Sequence, residues 1–221
     1  MMEKVVDLYK EHGLSSDNPL ILGSAEIRLM KISDQMSRMM DLRCALNNTP
    51  EMRVSPGEYV QLLVGPFITM TDTDLELRTN QEFIDNAKGD ILIGGLGIGL
   101  LIKNLQSKLE SGEVTSITIV EKNIDVITLV RPIFSDLISK YNIKLVNDDI
   151  FTWINAIDSD EVHFDTIYFD IWDTICPDLL EEGHELMMKY SGLLRDYRGG
   201  SYMNCWAWEL AEHRFGGDHE I

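Results

Sequence analysis

The chain has 221 residues, 44% of them hydrophobic, with a formal net charge of −18, which suits one sizeable α/β domain with a modest appendage and is too short for two full ones. So acidic a surface repels phosphate backbones, and no basic cluster offsets it, so nucleic acid is excluded as a partner. No apolar run approaches the ~18 residues that span a bilayer and the N-terminus lacks signal-peptide architecture, so no membrane partner and a cytoplasmic location are expected, with the dispersed Cys44, Cys176 and Cys205 as reduced thiols.

Residues 1–88 read as an N-terminal appendage. A short helix is predicted over 2–12, and the methionine-rich stretch 25–55 (Met30, Met36, Met39, Met40) is ambiguous and reads as core filler. Ser55-Pro56-Gly57 is a turn. Tyr59 to Val64 and Phe67 to Met70, broken at Gly65-Pro66, form a β-hairpin, and Thr71-Asp72-Thr73-Asp74 caps a helix from Leu75 to Asn86.

Residues 89–221 read as a second unit in which strands alternate with helices. Strands are predicted at Ile91 to Gly94, Ser116 to Val120, Ile143 to Val146 and Thr166 to Phe169, with helical segments at 100–109, 123–140 and 150–157 between them. The sheet is then parallel, wound by right-handed crossovers, and ligands bind beyond the carboxyl ends of its strands. Every predicted strand ends in glycine or acid: Gly95 to Gly99, Glu121, Asp148-Asp149 and Asp170.

The first of these ends carries the strongest signal. Gly95, Gly97 and Gly99 let backbone pass where a Cβ would collide, as a loop lying against a nucleoside needs. A dinucleotide fingerprint, G-x-G-x-x-G, would put its third glycine at Leu100; the spacing here is G-x-G-x-G, which favours a nucleoside without phosphates. Glu121, 22 residues after Gly99, is placed to accept both hydroxyls of a ribose. Asp149 is placed to accept the amine of an adenine, with Ile150 and Phe151 against the ring; Asp148 is its rival. Taken singly, Glu121 reads equally as a solvated acid and Asp149 as a helix cap.

With these motifs the chain resembles the class I S-adenosylmethionine-dependent transferases, in the branch similar to spermidine synthase, and within it the short bacterial and phage members. The resemblance covers residues 58–190: the hairpin and Thr71-Asp72-Thr73-Asp74, Ile93 to Gly99, Val120 to Asn123, Asp148 to Phe151, and Phe164 to Asp173. It implies a Rossmann-like α/β fold that binds S-adenosylmethionine, with the glycine loop at the methionine part of the donor, Glu121 at ribose, Asp149 at adenine and the strand-four acids facing the acceptor. Aminopropyltransferases carry an Asp inside the glycine loop where this chain has Gly97, and Leu77-Arg78-Thr79-Asn80 replaces the residues that line their polyamine channel. Methyl transfer to a small or amine-bearing acceptor is therefore the first expectation, aminopropyl transfer the second and a catalytically silent S-adenosylmethionine binder the third.

Asp170 and Asp173 are the predicted catalytic residues, since a carboxylate at that strand end can orient an ammonium and accept its proton. Trp172 offers an aromatic wall, Arg78 a partner for the donor carboxylate or a solvated helix residue, and Asp178, Glu181, Glu182 and Glu185 a solvated face. The residues from 151 onward carry 15 acids against 4 bases, which suits a cationic acceptor. No metal site is expected, because the five histidines have no ligand spacing. After strand four, Arg195 to Ser201 is polar and Met203 to Arg214 reads as a helix, so the sheet is expected to be truncated at the C-terminus and completed by N-terminal strands or by a second subunit in a homodimer.

Overall fold

Ile91, Leu92 and Ile93 are completely buried, as expected of a strand covered on both faces. Ile91 and Ile93 join one apolar cluster and Leu92 a second on the opposite side, because successive side chains of a strand alternate between faces. The structure, a computed structural model, describes residues 2–158, 161–196 and 200–216.

The N-terminal part runs α1 (Val6–Glu11), β1 (Leu20–Leu22), β2 (Ala25–Ile32), α2 (Asp34–Asn47), β3 (Gly57–Val64), β4 (Phe67–Thr71), α3 (Asp74–Thr79) and α4 (Gln81–Asn86). The expected hairpin is thus half of a four-stranded antiparallel sheet, β1-β2-β3-β4. The methionine-rich stretch resolves into β2 and α2, and Met36 and Met39 are exposed on α2 rather than filling a core. The single helix expected to Asn86 is broken at Asn80 into α3 and α4.

Asp72 does not cap the helix that follows it. It is completely buried, and its carboxylate accepts from the backbone N–H groups of Val60 (2.7 Å), Val5 (3.0 Å) and Val6 (3.1 Å). It thereby ties the start of α1 to β3. Burial pushes its pKa up to about 6, against the opposing pull of those N–H donors.

From residue 89 the order is β5 (Gly89–Gly94), α5 (Leu100–Ser111), β6 (Val114–Glu121), α6 (Ile124–Val130), α7 (Ser135–Lys140), β7 (Ile143–Asn147), α8 (Ile150–Trp153), β8 (Thr166–Phe169), α9 (Pro177–Tyr190), β9 (Tyr202–Cys205) and α10 (Trp208–Phe215). The strands form a parallel five-stranded sheet in the order β7-β6-β5-β8-β9. This is the Rossmann-like α/β class, with the strand order reversing between β5 and β8. Leu100, Leu101, Ile102, Leu105 and Leu109 bury one side of α5 in the first cluster, while Ile150, Trp153, Leu186 and Tyr190 of α8 and α9 cover the other face of the sheet.

The segment from Met203, expected to start a helix, instead belongs to β9, which pairs with β8 from Thr166↔Tyr202 to Phe169↔Cys205. Four residues are too few to show a two-residue period against the helical pattern that follows. The chain turns between strand and helix at Ala207, a non-glycine residue in the left-handed region at φ +52°. Of the polar segment Arg195 to Ser201, residues 197–199 lie outside the described residues. The boundary expected between 88 and 89 falls just before β5, and the two parts share one apolar cluster, which runs from Val5, Tyr9 and Ile27 to Leu105 and Ile119. No helix among the described residues is long and apolar enough to cross a membrane.

Candidate functional site

The ends of β5, β6 and β8 and the turn after β7 meet the N-terminal sheet around a cavity of about 380 Å³, within the size range of cofactor and small-ligand pockets. Gly95, Gly97, Glu121, Asp149, Ile150, Asp170 and Asp173 all line it, together with Phe151 and Trp172. Leu62, Val64, Phe67 and Met70 of β3 and β4 form the facing apolar wall. Asp148 and Gly99 are not among the lining residues.

The glycines of the loop have separate reasons. Gly95 sits at φ +95°, where a Cβ would overlap the backbone carbonyl oxygen of Asp170; the two strand ends touch there, and the Asp170 N–H donates to the Gly94 carbonyl at 2.7 Å. Gly97, at φ +51°, packs against the Met70 sulfur, which also accepts from the Ile98 N–H at 3.4 Å. A side chain at residue 97 would displace Met70. Gly99, at φ +72°, lies against the Phe134 ring, so its place is in the packing beneath the loop rather than on the cavity wall.

The loop is held from several directions. Glu121 accepts from the Leu96 N–H at 3.0 Å through one oxygen and from the Asn123 N–H at 2.8 Å through the other. The buried Tyr9 hydroxyl of α1 donates to the Ile98 carbonyl at 3.0 Å. A carboxylate has about four acceptor positions, so Glu121 can brace the loop and still accept two hydroxyls from a ligand. Asp149 caps α8 by accepting from the Phe151 N–H at 2.9 Å, which uses one oxygen and leaves the other for the cavity. The turn it occupies is fixed from behind, because the Tyr190 hydroxyl donates to the Ile150 carbonyl at 2.6 Å.

The opposite end of the cavity is acidic. Asp170 sits at the end of β8, and its carboxylate accepts no hydrogen bond among the described residues; burial raises its pKa. Beside it lies a residue that the sequence did not single out, Glu76 of α3. Its carboxylate accepts from the Trp206 indole N–H at 3.0 Å, and burial together with the neighbouring Asp170 charge raises its pKa as well. Asp173 is exposed at the rim. The Trp172 indole donates to Glu182 of α9 at 2.8 Å, which holds its ring as part of the wall.

Glu181, Glu185 and Asp178 are exposed on α9. Arg78 lines a second cavity, not the one at the glycine loop. Glu76 was hidden in the sequence because it lies in an ordinary amphipathic helix and meets Asp170 only through tertiary packing.

No family model matches the chain, and no curated protein matches it. Among solved structures it is similar to a protein from Streptococcus mutans described as a SAM-dependent methyltransferase, at 15% identity over 73% of this chain and 44% of that one, TM-score 0.47. It is also similar to spermidine synthase from Thermotoga maritima, at 14% identity over 80% of this chain and 53% of that one, TM-score 0.46. A spermidine synthase in complex with the transition-state analogue AdoDATO gives 15% identity over 82% of this chain and 54% of that one, TM-score 0.47. The chain spans about half the length of these proteins, and identities this low support no residue-by-residue correspondence.

Proposed function

We propose that the chain is an S-adenosylmethionine-dependent transferase, with methyl transfer to a small or amine-bearing acceptor as its reaction. The observation that carries this is the division of one preformed cavity. A glycine backbone, a bracing carboxylate and a capped turn with two apolar side chains line one end, and acids with no ion-pair partner among the described residues line the other.

The first end fits an adenosyl group. Gly95 and Gly97 present bare backbone at this end, Glu121 has acceptor positions for ribose hydroxyls, and Asp149 with Ile150 and Phe151 offers an acceptor and apolar contact for adenine. Bound there, S-adenosylmethionine supplies an electrophilic methyl group on a sulfonium. The acids at the other end then orient an acceptor amine, and Asp170 takes the proton that an ammonium must lose before its nitrogen can attack. Asp173, at the rim, steers the cation inward.

Calorimetry with S-adenosylmethionine, its decarboxylated form and NAD tests this reading. Binding of S-adenosylmethionine and S-adenosylhomocysteine but not NAD is expected. Binding of the decarboxylated donor alone would favour aminopropyl transfer, and binding of none would remove the transferase reading.

A further inference from the structure

Glu76 and Asp170 come from distant parts of the chain, one from a helix of the N-terminal part and the other from the end of β8, yet their carboxyl groups share the floor of one cavity. Neither makes an ion pair among the described residues. Glu76 has one fixed partner, the Trp206 indole, and Trp206 is itself fixed by the start of the turn after β9, where its N–H donates to the Phe169 carbonyl at 2.8 Å. Two half-buried carboxylates lining one cavity repel each other, which disfavours leaving both charged and without a counterion.

A second feature beside them is also incomplete. Tyr168, on β8 two residues before Asp170, is 1% exposed, and its hydroxyl has no hydrogen-bond partner. The ring is locked by stacking on Phe83, with centroids 4.2 Å apart and planes 10° apart, so the hydroxyl cannot swing away to find one. It borders a second cavity of about 250 Å³ against α3, α4 and β9, and it feels the charges of both Asp170 and Glu76. Buried polar groups are nearly always bonded. Two underbonded carboxyls lining one cavity mark a place built around a polar ligand, their sign makes that ligand a cation, and the Tyr168 hydroxyl, which borders the second cavity and not the first, lies within their field.

We propose that Glu76 is a second acid of the acceptor site, forming with Asp170 a carboxyl pair that holds one alkylammonium centre between them. That the ammonium is then alkylated rests on the transferase reading; that it binds does not. A protonated amine has three N–H donors, enough for both carboxyls with one left for a further acceptor. Burial raises both groups, and the neighbouring Asp170 charge raises Glu76 further, which favours a proton held on the empty pair near neutral pH. Arrival of a cation reverses that balance and drives the proton off, leaving a carboxylate ready to accept one from the ammonium.

The other titratable groups around the pair do not compete for this role. Burial holds Tyr168, Tyr202 and the Cys205 thiol above their ordinary values. Glu121, Lys122, Asp149 and Asp173 are the charged groups that line the rest of the cavity.

The test is calorimetric titration of n-butylammonium chloride into the full chain at pH 7.5, in two buffers of different ionisation enthalpy, with n-butanol as the neutral control. It is run with and without S-adenosylhomocysteine. Expected are binding of butylammonium at least tenfold tighter than butanol, proton release on binding, and a tenfold or greater loss with loss of proton release in Glu76→Gln. Gln keeps an oxygen for the Trp206 indole, so the variant should melt within a few degrees of the parent; if it does not fold, Asp170→Asn is titrated in its place. Butylammonium that fails to bind, binds no better than butanol, or binds Glu76→Gln as it binds the parent would overturn the pair. Failure of S-adenosylhomocysteine to bind would instead remove the transferase reading, with the titration of the unliganded chain still deciding the pair.

Discussion

Replacing Asp72 by Asn separates two opposing contributions of one buried carboxylate. The native group accepts three backbone N–H bonds in complete burial. In the variant the amide oxygen can serve one side, but the amide nitrogen must face a backbone donor on the other, which leaves a buried N–H unsatisfied at a cost of about 1–3 kcal/mol. Against this stands ionisation. The native group rises from 3.8 to about 6 on folding, so between those values the folded state binds more protons than the unfolded one, and stability falls as pH rises through that window.

At about 1.4 kcal/mol for each tenfold change in proton affinity, the whole effect is worth about 3 kcal/mol. About half of it remains to be lost above pH 5, clear of the acid range in which so many carboxylates become neutral. Asn carries no such penalty. Urea unfolding of both proteins at pH 5, 6 and 7 should therefore show the parent's advantage over Asp72→Asn shrinking by roughly 1.4 kcal/mol, with other titrations cancelling in the difference. A difference that stays flat with pH, or grows, would refute the assignment of a raised pKa to Asp72.

Glu121→Ala should weaken S-adenosylhomocysteine binding more than tenfold, about 1.4 kcal/mol or more, through the lost ribose contact and the released Leu96 N–H; unchanged affinity by calorimetry would make the acid a brace only. Asp170→Asn should lower turnover on an amine acceptor by roughly 10²-fold while donor affinity changes little, and parallel loss of both would move Asp170 to the donor side. Gly99→Ala should destabilise the fold by about 1–3 kcal/mol, since a left-handed residue and an overlap with the Phe134 ring are both introduced; a thermal melt equal to the parent's would contradict that packing. Duplex DNA is expected not to shift in a gel at about 150 mM salt, because a net charge of −18 repels the phosphate backbone, and a complex surviving those conditions would reopen the choice of acceptor.

Much of the fold was legible because the parallel sheet writes itself in local signals. Residues 91–93 form an apolar run ending in glycines, β6 ends in an acid, and β7 and β8 are each followed by one. These signals place Gly95, Gly97, Glu121, Asp149 and Asp170 at strand ends, and the geometry of such a sheet then brings those ends together. Less was legible where structure depends on distant partners. β9 has four residues and is a strand only because β8 offers it an edge. β2 has no clean alternation, since part of its surface faces solvent and part faces α6. Gly99 looked like its two neighbours in the loop, yet its reason is an aromatic ring 35 positions away. Asp72 carried the pattern of a local cap, but the donors it serves lie in α1 and β3. Glu76 became visible as a site residue only once α3 was seen to close the cavity over Asp170.

One end of the cavity beyond the glycine loop is the proposed adenosyl site. The most direct measurement is a titration of the ¹⁵N-labelled chain with S-adenosylhomocysteine, followed through its backbone amide resonances. Saturable shifts concentrated on Gly95, Leu96, Gly97, Asn123, Ile150 and Phe151, and absent with NAD, are the expected result. Shifts scattered away from those residues, or none at millimolar ligand, would contradict it.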